Sequence, residues 1–226
     1  MWAIVVAGGS GHRFGGPKQF LLLAGRPIVA WSVDAARSVA DGVVLVVPAD
    51  ASSTGQEMVA DIDGDAAVAA WGADRMVSGG PTRADSVRAG LTAVPDDAGV
   101  VIVHDAARPL AGPPLFAAVL DAVRVDGVGG AIPVLPVADT LKRTSGGIVA
   151  STVDRDGLVS VQTPQAFDAA TLRAAHRTGG EATDDAGLLE RNGALVRTVA
   201  GDPRNLKITR PEDLVIAEAL MSAVIP

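Results

Sequence analysis

Residues 1–20 read MWAIVVAGGSGHRFGGPKQF, an apolar run from Ala3 to Ala7 that gives way to five glycines in the nine residues 8–16 and to two cations, Arg13 and Lys18. A short Val/Ile-rich run bounded by turn residues is the pattern of a strand buried on both faces. Such a strand delivers its loop to the carboxyl edge of a parallel sheet, where open α/β folds bind ligands. Lacking Cβ atoms, Gly8, Gly9 and Gly11 can turn successive N–H groups toward one concavity, and such a nest suits phosphate oxygens. Arg13 adds a planar fork of charge and Lys18 a mobile point charge. A tight turn with no ligand would account for the glycines but leaves the basic pair unexplained.

Two common phosphate motifs do not fit. The pattern G-x-x-x-x-G-K-[ST] fails because Lys18 follows Pro17 and precedes Gln19, and G-x-G-x-x-G fails because Phe14 stands where the third glycine belongs.

Outward from this loop, further buried-strand runs occur at VVLVVP from Val43, VVIVHD from Val100 and GAIPVLPV from Gly130. Between them, RPIVAWSVDAARSV, TRADSVRAGLTAV and PPLFAAVLDAVRV carry apolar residues at helical spacing, the first and last with Pro in the opening turn. Alternating strand and helix predicts an α/β sheet, mostly parallel and flanked by helices. Residues 138–161, ADTLKRTSGGIVASTVDRDGLVSV, break the pattern with turn signals at SGG and RDG. They predict a polar β arm, whose exposed edges call for a partner such as a second subunit. The remainder predicts a helix opened by Asp184 and Asp185, a strand at LVRTVAGD, a short strand at NLKIT and a closing helix with Pro211 in its first turn.

The 226 residues suffice for one domain spanning 1–226. With 48% hydrophobic and 20% charged residues the chain is of ordinary globular composition, which argues against disorder. Nineteen basic against 26 acidic residues give a net charge of −7 without a Lys/Arg block, which argues against nucleic-acid binding. The absence of Cys excludes disulfides, thiolate metal sites and a Cys nucleophile. No basic residue precedes the first apolar run, and no apolar stretch approaches the roughly 20 residues that cross a bilayer, so a cytoplasmic, membrane-free protein is expected.

Several polar residues admit two readings. Asp105, at a strand end, either caps the next helix or serves a site. Arg155, in DRDG, reads by itself as a solvated turn residue. His104 invites a proton-transfer role but equally fits a buried, hydrogen-bonded imidazole. His12 and His176 form no ligand pattern for zinc. Trp2, Trp31 and Trp71 suit core or interface packing.

AGGSGHR with PKQF, GGPTRADSV, HDAARP, TVDRDGLVSVQTPQAF, TDD and NLKITRPEDL, in this order along nearly the whole chain, resemble the 2-C-methyl-D-erythritol 4-phosphate cytidylyltransferases. The pairing of HDAARP with TPQAF is the selective part, since many nucleotidyltransferases begin with a similar glycine loop. The resemblance implies a Rossmann-like nucleotidyltransferase fold, a homodimer formed through the arm, and transfer of CMP from CTP to a polyol phosphate. It implies that Arg13 and Lys18 stabilise the transition state and that Arg155 and Lys207 position the acceptor. Asp105, Arg108 and Thr140 belong to the acceptor region, with Thr140 and Arg155 supplied by the neighbouring subunit. Nucleotide contacts fall to Ala7, Gly8, Gly9 and Gly11 in the first loop and to Gly80, Asp85 and Ser86 in SGGPTRADSV. Backbone groups there and the Ser86 hydroxyl would read the donor and acceptor edges of cytosine.

Mg²⁺, held mainly through the CTP phosphates, is the implied cofactor, with Asp105 touching either the metal or an acceptor hydroxyl. Pro203 and Arg204 stand where family members vary, and the FGGP stretch between Arg13 and Lys18 is short. A D-ribitol 5-phosphate cytidylyltransferase shares much of this pattern, and a nucleotide-binding regulatory module without activity is the alternative of another class. Joint presence of Arg13, Lys18, Arg155 and Lys207 argues against the latter.

Overall fold

The protein was analysed as a computed structural model that describes residues 1–9, 14, 16, 18–48, 71–178 and 182–223. Strand β1 (Trp2–Val6) sits inside the sheet, paired in parallel with β4 (Gly42–Val47) on one side and β6 (Val100–Asp105) on the other. Strand β5 (Arg75–Ser78) extends the sheet beyond β4, also in parallel. Beyond β6 the direction reverses. Strand β11 (Gln165–Asp168) runs antiparallel between β6 and β7 (Val128–Pro136). Gly130 and Ala131 of β7 pair with β11 and also with β12 (Leu195–Ala200), so β12 must lie in parallel along the opposite edge of β7. Strand β10 (Val159–Val161) pairs with the end of β7 at Val134–Pro136, on the same edge as β11.

The continuous apolar runs are explained by burial on both faces. Ala3, Val5, Val43, Leu45 and Ile102 face one core, and Ile4, Val44, Val46, Val101 and Val103 face the other, all fully buried. Helices α1 (Ile28–Arg37) and α3 (Pro113–Val123) close the first face with Val29, Val33, Phe116 and Val119. Helices α2 (Arg83–Ala93), α4 (Ala169–Arg177) and α5 (Asp185–Arg191) close the second with Val87, Leu172 and Leu189. Burying such a side chain is worth about 1.5–3 kcal/mol, so these two layers dominate the stability of the sheet. Helix α6 (Pro211–Ser222) packs outside them, its Ala217 against Leu23, Ile28 and Ile208.

The predicted strands and helices are present, with some corrections. Pro27 is the N-cap of α1 rather than a first-turn residue; with Arg26 it forms β3 (Arg26–Pro27), which pairs with β2 (Leu22–Leu23). The NLKIT stretch is not a strand. Asn205 and Lys207 lie in an irregular segment that touches the body through one backbone bond, Ile208 N–H to Ala107 O at 2.8 Å. The arm is a hairpin of β8 (Leu141–Ser145) and β9 (Ile148–Val153) in a small sheet of their own, but its last residues, Val159–Val161, return to the main sheet as β10. Gly146 and Gly147 take φ of 55° and 80° in the two-residue turn, conformations that favour glycine.

Sequence reading missed β5, β11 and α4. The last had a signal: Asp168 Oδ1 accepts from Thr171 N–H at 2.8 Å, an N-cap readable in DAAT. Between β10 and β11, the Thr163–Pro164 peptide is cis. Thr163 Oγ1 accepts from Asp105 N–H at 3.0 Å and lies 3.1 Å from His104 Nδ1. Since His104 Nε2 meets only an acceptor, Arg108 O at 3.2 Å, Nε2 carries the hydrogen and Nδ1 accepts from the Thr163 hydroxyl. The imidazole is therefore neutral, and burial pushes its pKa down to about 4.

This sets a pH dependence. The unfolded chain binds a proton on this histidine near its ordinary value of 6.5 while the folded chain refuses it down to about 4. Stability contributed by neutral His104 is complete above pH 6.5 and is lost as pH falls toward 4, with a limiting slope of about 1.4 kcal/mol per pH unit. Chemical denaturation of the wild type should show that loss between pH 6.5 and 5, above the window of the carboxylates, and His104→Asn should flatten it. Equal slopes in the two proteins over that interval would contradict the assignment.

Candidate active site

The carboxyl ends of β1, β4, β5 and β6 share one edge of the sheet, and the candidate residues gather there in two groups. The first surrounds the glycine loop. Ala7 donates its N–H to Val46 O at 2.8 Å, and its carbonyl accepts from Gln19 Nε2 at 2.7 Å. The same amide reaches Gly9 O at 3.3 Å, so one buried side chain, absent from the sequence-based expectations, ties the loop's two ends together. Gln19 belongs to the single turn Lys18–Phe20, which begins with Lys18 N–H bonded to Gly16 O at 2.8 Å. Arg13 and Gly11 lie outside the described residues.

Helix α2 brings the other half of this group. Thr82 caps it, accepting from Asp85 N–H at 3.1 Å, while Asp85 Oδ2 accepts from Thr82 N–H at 3.2 Å. Asp85 also pairs with Arg88, and these hydrogen bonds hold its carboxyl below the usual range. Its oxygens are thus committed within α2. Ser86 is the residue turned toward the loop: its Oγ accepts from Gly80 N–H at 3.2 Å, and a Cβ on Gly8 would come within 3.1 Å of it. Gly80 is equally constrained, since a Cβ there would lie 2.3 Å from Asp85 Cβ. Ala7, Gly8, Gly80 and Ser86 therefore form one polar cradle.

The second group centres on Asp105, the last residue of β6. Its Oδ2 accepts from Lys207 Nζ at 2.6 Å, and its Oδ1 lies 3.4 Å from Arg83 Nε. Burial opposes ionisation of this carboxyl, but Arg83 and then Lys207 more than offset it, so Asp105 stays charged far below the ordinary carboxylate range. Arg108 donates to Asn205 O at 2.7 Å, which holds the Lys207 segment against the turn after β6. Gln162 and Asn205 fix that segment from beneath: Gln162 Nε2 donates to Asp202 O at 2.9 Å and Asn205 Nδ2 to Thr163 O at 2.8 Å. Both side chains are buried. Gln162, Asn205 and Arg83 were visible only as letters inside TVDRDGLVSVQTPQAF, NLKITRPEDL and GGPTRADSV.

Thr140 and Arg155 stand apart from both groups, exposed at the root of the arm. Arg155 opens the predicted RDG turn, its carbonyl accepting from Leu158 N–H at 2.9 Å with Gly157 at φ 76°. Its guanidinium reaches the carbonyls of Val137, at 3.1 Å, and Ala138, so it ties together the two roots of the hairpin. It is not paired with the neighbouring carboxylates. His176 Nε2 lies 3.0 Å from Asp185 Oδ1. Among the described residues no cluster of three His, Asp or Glu side chains is placed to hold a metal, and no helix is long and apolar enough to cross a membrane.

Comparison with known proteins shows the family. The model of the 2-C-methyl-D-erythritol 4-phosphate cytidylyltransferase family, IspD, matches residues 1–223. A protein of Nocardia farcinica named 2-C-methyl-D-erythritol 4-phosphate cytidylyltransferase is 46% identical over 224 residues, covering 97% of this chain and 93% of the relative. A bifunctional enzyme IspD/IspF of Nitratidesulfovibrio vulgaris is 44% identical over 96% of this chain, which spans 57% of that longer protein. The crystal structure of 2-C-methyl-D-erythritol 4-phosphate cytidylyltransferase from Thermus thermophilus superposes with a TM-score of 0.78 at 37% identity, covering 98% of each chain. The family match over residues 1–223 and the relative at 46% identity place this protein in the 2-C-methyl-D-erythritol 4-phosphate cytidylyltransferase family.

Proposed function

We propose that this chain transfers CMP from CTP to 2-C-methyl-D-erythritol 4-phosphate, giving 4-diphosphocytidyl-2-C-methyl-D-erythritol and pyrophosphate. The observation that carries the reading is the meeting of Asp105 and Lys207, 102 residues apart in sequence, beside the glycine loop at the sheet edge. An oxygen of the acceptor phosphate attacks the α-phosphorus of CTP; a new P–O bond forms, the bond to the β-phosphate oxygen breaks, and its electron pair leaves with pyrophosphate. A phosphate monoester is already anionic at neutral pH, so the step needs no general base. The fully buried His104, neutral and with both ring nitrogens engaged, is accordingly no proton carrier.

The barrier is electrostatic, because two polyanions meet and charge builds on the transferring oxygens. Arg13 and Lys18 meet that charge from the glycine loop, and Lys207, whose side chain is 40% exposed, meets it from the opposite end of the sequence. The Ser86 hydroxyl and the backbone of Ala7, Gly8 and Gly80 take the cytosine. Ala7 keeps only the second lone pair of its carbonyl for this, its N–H being spent on Val46. A single carboxylate, Asp105, fits a Mg²⁺ bound mainly through phosphates and water and does not suit a metal caged by protein alone. When bound, that ion would neutralise phosphate charge; Asp105 would face it or an acceptor hydroxyl.

The unit of function is one nucleotidyltransferase domain over 1–226 with the arm at 138–161, in a cytoplasmic homodimer. The arm presents Ile148 at 75% and Val149 at 58% exposure, an apolar tip that a second copy would cover. Thr140 and Arg155 at its root then serve the acceptor phosphate of the neighbouring site.

Incubation with CTP, Mg²⁺ and an acceptor panel, following pyrophosphate, should give turnover with 2-C-methyl-D-erythritol 4-phosphate. A preference for D-ribitol 5-phosphate would overturn the substrate, and silence across the panel would favour a regulatory module. Lys18→Ala and Arg13→Ala should each lower turnover about a hundredfold or more, as loss of one oxyanion donor does; near-normal rates would refute their role. Sedimentation should show a dimer, and a monomer would leave Thr140 and Arg155 with no neighbouring site.

A further inference from the structure

Arg83 is the first residue of α2, and the transfer reaction proposed above assigns it nothing. Its guanidinium lies between two carboxylates. One terminal nitrogen donates to Asp185 Oδ2 at 2.7 Å, while Nε and the other terminal nitrogen lie 3.4 and 3.5 Å from Asp105 Oδ1. Asp185, with only 1% of its side chain exposed, turns its other oxygen to His176 Nε2 at 3.0 Å. The other oxygen of Asp105 is the one that holds Lys207, at 2.6 Å. The result is a continuous line, Lys207, Asp105, Arg83, Asp185, His176, running from a partly exposed ammonium to a histidine buried between α4 and α5.

The distances say which end is the anchor. The short bond is to Asp185, and the contacts to Asp105 are long, so Arg83 is fixed by Asp185 and acts on Asp105 chiefly through charge. Each oxygen of Asp105 then answers to a different cation, and the carboxylate plane cannot turn without losing one. A lysine could not replace Arg83, because a point charge does not fork between two carboxylates.

We propose that Arg83 is a positioning residue: anchored on Asp185, it holds Asp105 with one oxygen turned toward Lys207, and so places that ammonium at the phosphate site. The proposal rests on the reading that Lys207 serves the phosphates. The groups around Asp105 are Arg83 from α2, Lys207 from the irregular segment before α6, Arg108 from the turn after β6, neutral His104 on its own strand and the Thr163 hydroxyl. Arg83 and Lys207 take opposite oxygens of Asp105, so loss of Arg83 frees the carboxylate to turn away from Lys207.

The test compares wild type, Arg83→Gln, Arg83→Lys, Asp105→Asn and the double variant Arg83→Gln/Asp105→Asn, with melting curves to establish folding. Arg83→Gln should lower kcat about 10- to 100-fold, the scale of a misplaced reacting geometry, and Arg83→Lys should not restore it, since a point charge does not fork. Added to Asp105→Asn, Arg83→Gln should cost little more, since both act through one carboxylate. Near-normal turnover in either Arg83 variant, or losses that multiply independently, would overturn the proposal. Should Arg83→Gln not fold, Asp185→Asn removes the anchor while keeping Arg83 and Asp105, and the same loss of kcat is expected, with unchanged turnover again overturning it. If the wild type itself transfers nothing, the proposed function fails, and a crystal structure of Arg83→Gln, or of Asp185→Asn where only that variant folds, decides the matter alone: a Lys207 ammonium moved off Asp105 supports the positioning role, and an unchanged Lys207–Asp105 contact excludes it.

Discussion

A carboxylate sealed at the end of a parallel strand has little water with which to share its charge, and in this fold that position is held by Asp105. Its ionisation depends on cations brought from elsewhere in the chain: Arg83 from the start of one helix, Lys207 from a segment beyond the last strand. Because burial would otherwise protonate it, the two cations and the carboxylate stand or fall together. Much of the surrounding structure serves that meeting. The Gln162 and Asn205 side chains seat the Lys207 segment, Arg108 ties it to the turn after β6, and Thr163 joins that turn to the cis peptide between β10 and β11.

The same edge of the sheet solves a second problem, that of bringing a backbone close to a ligand. Gly8 and Gly80 approach the hydroxyl of Ser86 where a side chain would collide, and Gln19 grips the carbonyls on either side of the bend. These contacts are made by main chain, one hydroxyl and one amide, which carry no net charge. The charge needed for phosphate chemistry is thereby left to a few long side chains. That division suits a protein whose net charge is −7, where the polyanions must be met by local cations rather than by a basic surface.

The fold was legible wherever burial on both faces wrote itself as an unbroken apolar run, as in β1, β4, β6 and β7. It was not legible where an element is short and mixed: β11 is four residues with a buried Gln165, and β5 is four residues with Arg75 and Ser78 exposed on either side of half-buried Met76 and Val77. NLKIT looked like a strand because its Leu and Ile alternate with polar residues, but it pairs with no strand among the described residues. In the site, the motif residues were readable and their supports were not. Arg83, Gln162 and Asn205 act through partners 22 to 102 residues away, a relation that no local spacing encodes. Asp85 shows the converse, a carboxylate inside a motif whose geometry is consumed by capping its own helix.

Lys207 follows every strand of the sheet in the sequence, whereas Asp105 ends β6. During synthesis β1, β4, β5 and β6 can therefore leave the ribosome, carrying Asp105, before its ammonium partner does. A nascent chain in that condition holds the carboxylate without its full electrostatics, which are complete only once Ile208 docks on Ala107.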